Sequence, residues 1–332
     1  MKTVYIDIYG ADIGPEPIIR GALTALERYA DLHICFIGDR DIITAAVNDP
    51  QLLESRVSIM HTTDYVTNDE PASCVFNGRD NSTIVMGLTA LKQDENAIGF
   101  LSAGSTGALF VGSIFRLGLV CGLKTPALCS VIPCCDGKLL ALLDCGANMD
   151  CRSQDLVNFA LMGSALMKSL GESPAPRVAL LSVGREDSKG NKLTQEAFSK
   201  ISALPVNFIG NIEGLDVVSG EAEVIVADGF SGNILLKTIE AVGKSGIAAV
   251  NDALKNCDAA AKADLEKVKA RLSVAYDFNP YGGASFLGTV KPVIKMHGSA
   301  TEITPSSCID QLIKMENANY RQGQIDALSL AQ

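Results

Sequence analysis

The chain has 332 residues, of which 47% are hydrophobic and 20% are charged, as expected for a globular protein with ample core. Its formal net charge of −10 argues against nucleic acid as a partner and against non-specific attraction to anionic lipid. Phosphate is not excluded as a ligand, because a few N–H groups and lysines suffice to bind it.

Composition also predicts the compartment and the metal content. Too few apolar residues precede Asp7 for a signal peptide, and ten cysteines without an export signal are typical of reduced thiols. The longest apolar stretch, residues 108–123, is interrupted by Arg116 and is too short to span a membrane. With three histidines and no CxxC pair, we expect a cytoplasmic protein that needs no metal or other cofactor.

The N-terminal part of the chain alternates between predicted strands and helices. Strands are predicted over residues 3–8, 32–37 and 57–60, and helices over residues 15–29 and 82–91. Asp12, in the turn before Pro15, either caps the first helix or belongs to an acidic ligand loop.

The stretch 97–108 has the strongest pattern in the chain. An apolar run over residues 97–101 predicts a buried strand, and an apolar helix follows. The turn between them consists of small residues, namely Gly104, Ser105, Thr106 and Gly107. Such a turn lets a ligand approach the backbone, and the N–H groups at a helix start favour an anion. The Walker A lysine is absent, so we do not predict a nucleotide loop.

The middle of the chain contains a second polar turn after a strand. Two apolar strands, 127–132 and 139–143, flank a hairpin-like turn over residues 134–137. Asp144 and Asn148 follow, and they are equally good candidates for a buried hydrogen-bond network or for ligand binding. Ser153 is predicted to cap the next helix, which runs to residue 170.

The C-terminal half repeats the strand, glycine turn and helix arrangement. A strand over residues 177–183 leads into a charged loop with Lys189, where a mobile cation can close over an anion. A strand over residues 223–227 leads into a turn and helix that contain Asp228, Ser231, Gly232 and Asn233. The helical region is interrupted near residues 256–258, which predicts a projecting helical hairpin over about 233–272.

The order of elements predicts the architecture. Alternating strands and helices indicate a mostly parallel sheet with helices on both faces. Such sheets bind ligands beyond the carboxyl ends of their strands. We therefore expect the turns around Gly10, Gly104, Asn148 and Gly232 to converge at one edge of the sheet, in an α/β enzyme for an anionic ligand.

Read together, these turns resemble the PlsX-type phosphate acyltransferases. The matching segments are residues 7–12, 67–71, 102–108, 143–148, 189–191, 207–211, 226–233, 281–284 and 293–299. They occur in one order over nearly the whole chain. The resemblance implies a single domain over residues 1–332, folded as a three-layer α/β/α sandwich of the isocitrate and isopropylmalate dehydrogenase type. It also implies a homodimer.

The implied reaction transfers a fatty acyl group from acyl carrier protein to inorganic phosphate, which gives acyl phosphate for phospholipid synthesis. By this resemblance Lys189 and Asn233 are the candidate catalytic residues, stabilising developing negative charge, while phosphate lies near Ser105 and Thr106. The candidate substrate-binding residues are Asp12, Gly104, Ser105, Thr106, Gly107, Asn148, Asp228, Ser231, Gly232 and His297. Taken alone, His297 is more often a structural residue than a catalytic one.

The chain departs from the family pattern at several positions. The first family loop carries a histidine where Ile13 stands, and the glycine loop carries an asparagine where Ser105 stands. Residues 78–80 replace a Lys-Lys-Asp segment, and Arg185 replaces a threonine. The hairpin tip, residues 255–262, is short and polar, so we expect weak or no membrane association.

Other functions remain open at this stage. A phosphotransacetylase-like enzyme that acts on acyl-CoA would share the fold and the chemistry. A catalytically weakened paralogue would bind acyl carrier protein or acyl phosphate as a regulatory protein. An isopropylmalate-type dehydrogenase is disfavoured, because the chain has no paired arginine cluster and no aspartate triad for a metal-bound hydroxy acid.

Overall fold

In a computed structural model, residues 1–76, 78–134 and 136–331 are described, and they form one sheet with helices on both faces. The strands are β1 (Lys2–Asp7), β2 (Leu32–Gly38), β3 (Val57–His61), β4 (Ala97–Ser102), β5 (Ala127–Pro133), β6 (Leu139–Leu143), β7 (Arg177–Leu181), β8 (Asn207–Ile212), β9 (Val224–Val226), β10 (Ala284–Leu287) and β11 (Val293–Lys295). Their order in the sheet is β3-β2-β1-β4-β11-β10-β5-β6-β9-β7-β8.

The helices cover both faces of this sheet. They are α1 (Pro15–Arg28), α2 (Arg40–Val47), α3 (Pro50–Ser55), α4 (Thr83–Gln93), α5 (Thr106–Gly112), α6 (Ser153–Ser169), α7 (Lys192–Ile201), α8 (Gly229–Asn256), α9 (Ala259–Tyr276), α10 (Ile303–Asn317) and α11 (Tyr320–Ser329). One face is packed by α1 with α10 and by α6 with α7 and α11, whereas α4 and α5 pack in the core of the other. The predicted α/β/α arrangement is confirmed.

The strands do not all run in the same direction, so their carboxyl ends do not all lie at one edge of the sheet as expected. Strands β3, β2, β1, β4 and β11 are mutually parallel, and so are β6, β9, β7 and β8. Between them, β10 and β5 pair antiparallel with each other and with β11 and β6, respectively. Because three antiparallel pairings separate the halves, the halves run in opposite directions. The prediction that all four turns share one edge of the sheet is therefore wrong.

The register nevertheless brings the two sets of carboxyl ends together. Ile294 in β11 pairs with Ser285, Ser285 pairs with Cys129 in β5, and Cys129 pairs with Leu143, the last residue of β6. The ends of β11 and β6 thus lie at the same level on the sheet although they point in opposite directions. The turns after both halves meet near the middle of β5.

Two predicted helix caps are replaced by other arrangements. Gly14 precedes α1 with no side-chain cap, so Asp12 does not cap this helix. At α6 the cap position is Arg152, whose N–H donates to the carboxylate of Asp155 at 2.8 Å. Ser153 is instead the first helical residue, and its Oγ accepts a hydrogen bond from Lys200 Nζ at 2.7 Å.

The projecting helical hairpin is present and is longer than predicted. Helices α8 and α9 pack against each other and are joined through Cys257 and Asp258. The two helices approach closely at Gly243, where a Cβ would lie 2.4 Å from Cβ of Tyr276. Among the residues described, no helix is both long enough and apolar enough to cross a membrane. The predicted turn at residues 134–137 includes Cys135, which lies outside the described residues.

Candidate active site

A cavity of about 410 Å³ lies where the two sets of strand ends meet. Thr106 at the start of α5, Gly146 after β6 and Asn233 in the first turn of α8 contribute to its wall. The segment after β11 contributes residues 297–299. The cavity therefore joins the loops of both halves of the sheet, which no single strand–turn–helix unit could do.

On one side of the cavity, the loops after β1, β4 and β11 pack through glycine backbone. Gly10 has a φ of 96°, and a Cβ there would lie 2.4 Å from the backbone nitrogen of Gly104. The N–H of Asp12 donates to the carbonyl oxygen of Gly298 at 2.7 Å. At the start of α5, Ser105 Oγ accepts from the N–H of Ala108 at 3.4 Å. These contacts hold the glycine loop beside the segment that contains His297.

On the other side, Asp144 organises the turn after β6. Its Oδ1 accepts from the N–H groups of Leu128, Gly146 and Ala147 at 3.0–3.1 Å. Its Oδ2 accepts from both N–H and Nδ2 of Asn148 at 2.7 Å. Burial raises the pKa of Asp144, while these hydrogen bonds favour the carboxylate and oppose that rise.

The same turn fixes the start of α8. A Cβ on Gly232 would lie 2.0 Å from the carbonyl oxygen of Asp144, so only glycine fits here. Asp228 caps the helix and accepts from the N–H of Ser231 at 2.9 Å and from its hydroxyl at 2.8 Å. The result is that Asn233, one turn further, faces the cavity next to Gly146.

The predicted site residues thus fall into three groups. Thr106, Asn233 and His297 line the cavity. The second group shapes the surrounding loops and consists of Asp12, Gly104, Ser105, Gly107, Asn148, Asp228, Ser231 and Gly232. Of these, Asn148 belongs to the buried network, since its Nδ2 also donates to the carbonyl of Pro126 at 2.8 Å.

Lys189 forms the third group. It is exposed in the loop after β7, on the same side as the turns after β6 and β9, and it does not line the cavity. Its chain packs against Gly184, where a Cβ would lie 2.9 Å from Lys189 Cγ. A catalytic role for Lys189 stays a prediction.

The cavity is also lined by charged residues to which the sequence assigned no role. These are Lys237, Glu240 and Lys244 on α8, Asp277 after α9, and Lys295 at the end of β11, so lysines outnumber carboxylates three to two. Lys237 Nζ lies 2.8 Å from Glu240 Oε2. The i, i+3 and i+7 spacing of residues 237, 240 and 244 from one helix was the available signal that they share a face. For Lys295 there was no such signal, because a lysine at the end of a short strand is ordinarily exposed.

The electrostatics of the cavity favour an anion. Burial and, to a lesser extent, the nearby charge of Lys237 lower the pKa of Lys295 to about 8, although Asp7 and Asp12 oppose the shift. Burial also lowers the pKa of His297, against the effect of Glu240, so its imidazole is neutral at pH 7. His297 Nδ1 accepts the N–H of Ser299 at 3.1 Å, which places the ring proton on Nε2.

A buried carboxyl lies behind the glycine loop and gives a prediction for stability. Asp7 accepts from Ser102 Oγ at 2.7 Å and from the N–H of Tyr9 at 3.1 Å, and burial raises its pKa to about 6. Folded Asp7 therefore binds its proton more tightly than unfolded Asp7, whose pKa is near 3.8. The free energy of unfolding should rise as the pH falls through about 6, by roughly 2–3 kcal/mol at most for this group.

Urea denaturation of the wild type and Asp7→Asn at pH 7, 5 and 4 measures this contribution. The amide keeps an acceptor for Tyr9 but cannot titrate, so the wild type should gain stability relative to the variant on acidification. Equal pH profiles for the two proteins would contradict the prediction.

Comparison with known proteins places the chain in a family. Residues 2–322 match the family model described as "Fatty acid synthesis protein". A phosphate acyltransferase of Thermoanaerobacter pseudethanolicus is 37% identical over 303 residues, which are 89% of this chain and 88% of that protein. One from Oceanobacillus iheyensis is 38% identical over the same shares. The chain belongs to the PlsX-type phosphate acyltransferase family. The resemblance and the expectation of an acyltransferase are confirmed.

Solved structures agree on the fold of this family member. A phosphotransacetylase from Streptococcus pyogenes superposes with a TM-score of 0.63 at 16% identity, over 95% of this chain and 94% of that one. A branched-chain phosphotransacylase from Enterococcus faecalis gives 0.61 at 15% identity, over 95% and 98%. At this identity the likeness concerns the fold alone.

Proposed function

We propose that this chain transfers a fatty acyl group from acyl carrier protein to inorganic phosphate. A phosphate oxygen attacks the thioester carbonyl carbon, a C–O bond forms, and the C–S bond breaks. The carrier leaves as a thiolate that takes up a proton from water, and the other product is acyl phosphate. The observation that carries this proposal is that a single cavity is lined by both basic and apolar side chains.

The basic and polar side chains of the cavity suit phosphate and the reacting carbonyl. Lys237, Lys244 and Lys295 contribute positive charge, and Thr106 and Asn233 contribute neutral hydrogen-bonding groups. Because thiolate is a good leaving group, positioning the phosphate and stabilising the oxyanion can account for catalysis without a covalent enzyme intermediate.

The apolar side chains of the cavity suit an acyl chain. Leu128, Val131 and Ile132 from β5 line the cavity together with Leu236 and Phe278. Burying apolar surface is favourable by about 25 cal/mol per Å². A long acyl chain buries more apolar surface against these side chains than an acetyl group does, so it should bind more tightly. The family description, fatty acid synthesis, also supports a fatty acyl donor over a short one.

A direct assay tests which carrier donates the acyl group. Purified protein is given radiolabelled phosphate with long-chain acyl carrier protein, long-chain acyl-CoA or acetyl-CoA, and acyl phosphate is measured. We expect product with the long-chain acyl carrier protein. Product with acetyl-CoA alone would instead support a phosphotransacetylase, and donor binding without turnover would support a regulatory paralogue.

The alternative of a catalytically weakened paralogue depends on the loop after β1. Ile13 stands where the family resemblance places a histidine, and its side chain is 51% exposed. Ile13 does not line the cavity, whereas His297, in the matching segment 293–299, does and supplies an imidazole there. We infer that the chemistry does not require the missing histidine.

Lys189 gives a separate test of the proposed mechanism. Lys189→Ala should lower the rate of transfer sharply, because it removes a cation that can close over the bound anion. The side chain is exposed, so the unfolding midpoint should not change. Stopped or continuous assays of acyl phosphate together with thermal unfolding measure both quantities. Unchanged turnover would remove Lys189 from the mechanism.

We also propose a cytoplasmic homodimer of one domain per chain, with weak or no membrane association. The polar tip of the α8–α9 hairpin supports the last point, since Lys255 pairs with Asp252 at its exposed end. Sedimentation with and without anionic vesicles tests the oligomeric state and the membrane association together.

A further inference from the structure

Lys295 occupies an unusual position for a lysine. It ends β11 directly opposite Ser102, the last residue of β4, so it lies at the base of the glycine loop. Its Nζ donates to the carbonyl oxygens of Ala103 at 3.0 Å and Met296 at 2.5 Å. An ammonium has three N–H donors, so two are used and one remains. The side chain also lines the cavity.

The charge on this lysine has no direct counter-ion in the described part of the chain. Both hydrogen bonds go to neutral carbonyls, and Asp7 and Asp12 act on it only at longer range. Lys237 adds repulsion, and the nearby carboxylate of Glu240 pairs with Lys237. An ammonium that has lost part of its hydration without gaining a counter-ion is costly, and a bound anion would relieve that cost.

We propose that Lys295 binds the phosphate that attacks the thioester, with its third N–H donated to a phosphate oxygen. The assignment rests on the proposed function. Inorganic phosphate carries between about one and two negative charges near neutral pH, so it supplies the missing counter-charge. The two carbonyls fix the ammonium at the point where the glycine loop begins, so the bound phosphate would lie in the cavity that Thr106 also lines.

The same chemistry could hold the phosphate group of the carrier's pantetheine arm, and kinetics separate the two sources. Lys295→Gln keeps a donor for the carbonyls but removes the charge. It should raise the KM for inorganic phosphate by at least tenfold and leave the KM for the acyl donor within twofold. A raised donor KM with an unchanged phosphate KM would overturn the proposal in favour of the carrier.

Direct binding makes the test independent of turnover. Equilibrium dialysis with radiolabelled inorganic phosphate should give at least tenfold weaker binding to Lys295→Gln than to the wild type. Lys291→Gln is the matched control, because Lys291 precedes the same strand and donates to the carbonyl of Asp94 at 2.5 Å, away from the cavity. Its phosphate affinity should equal that of the wild type. Equal affinity of Lys295→Gln and the wild type would refute the assignment.

Chemical labelling of the wild type covers the case in which the variant does not fold. A lysine with a pKa of about 8 reacts readily with amine-directed acylating reagents, and bound phosphate should protect Lys295 but not Lys291. Labelling of Lys295 that is unaffected by phosphate would contradict the proposal. If phosphate binds and protects Lys295 but no acyl phosphate forms from any donor, the proposed function fails, and Lys295 keeps its role in phosphate binding but not a role in acyl transfer.

Discussion

Replacing Asn233 by alanine is expected to slow acyl phosphate formation by about a hundredfold to a thousandfold, as for the loss of one preorganised oxyanion donor. The side chain lines the cavity in the first turn of α8, and its Cγ lies 3.3 Å from where a Cβ on Gly146 would be. Since it is held between two fixed turns, its amide needs no reorganisation as charge develops on the thioester oxygen. The rate with saturating phosphate and donor measures this effect.

The neighbouring residue provides the control for Asn233. Ile234 is 50% exposed and does not line the cavity, so Ile234→Ala should leave the rate within about twofold. Both variants should unfold at similar denaturant concentrations. A rate for Asn233→Ala within tenfold of the wild type would exclude this side chain from oxyanion stabilisation.

Replacing Asp144 by alanine is expected to have the largest effect on stability, about 3–5 kcal/mol. The carboxylate accepts five hydrogen bonds, and the substitution leaves the donors of Leu128, Gly146, Ala147 and Asn148 without that partner. Activity should also fall, because the turn that Asp144 holds carries Gly146 and contacts the start of α8. Denaturation midpoints and m-values measure the change.

Two further variants test whether the network is responsible. Asp144→Asn keeps the shape but presents an amide NH₂ to N–H donors, so it should lose most of the same stability. Asp39→Ala removes an ordinary helix cap, in which the carboxylate accepts from Asp41 and Ile42, and should cost only about 1 kcal/mol. Equal losses for Asp39→Ala and Asp144→Ala would mean that Asp144 acts as a simple turn residue.

The sequence predicted most of the local structure, because local patterns determine it. The apolar run before Gly104 and the one before Asp228 form strands β4 and β9, and each is followed by a helix at the predicted position. The break in the helical hairpin lies at Cys257, as the polar residues there indicated. In these places periodicity and turn chemistry act within a few residues of each other.

The strand directions could not be predicted from local sequence patterns. Alternation of strands and helices favours parallel pairing, but it does not fix which neighbour a strand takes in the sheet. The short strand β10 pairs with β5, which lies more than 150 residues earlier in the sequence. The three antiparallel pairings that involve β10 and β5 reverse one half of the sheet relative to the other. The predicted single edge was therefore wrong, although Thr106, Asn233 and His297 do line one cavity.

By itself, the sequence determined the family, the order of elements and the glycine turns, because these depend on residues that are neighbours along the chain. Only the tertiary structure decided which polar groups share the cavity and which are used within the fold. Lys295 and Ala103 are 192 positions apart, and their hydrogen bond exists only because β11 pairs with β4. The environment of a charge depends on atoms brought near it by the whole fold, so no local pattern could have identified this lysine.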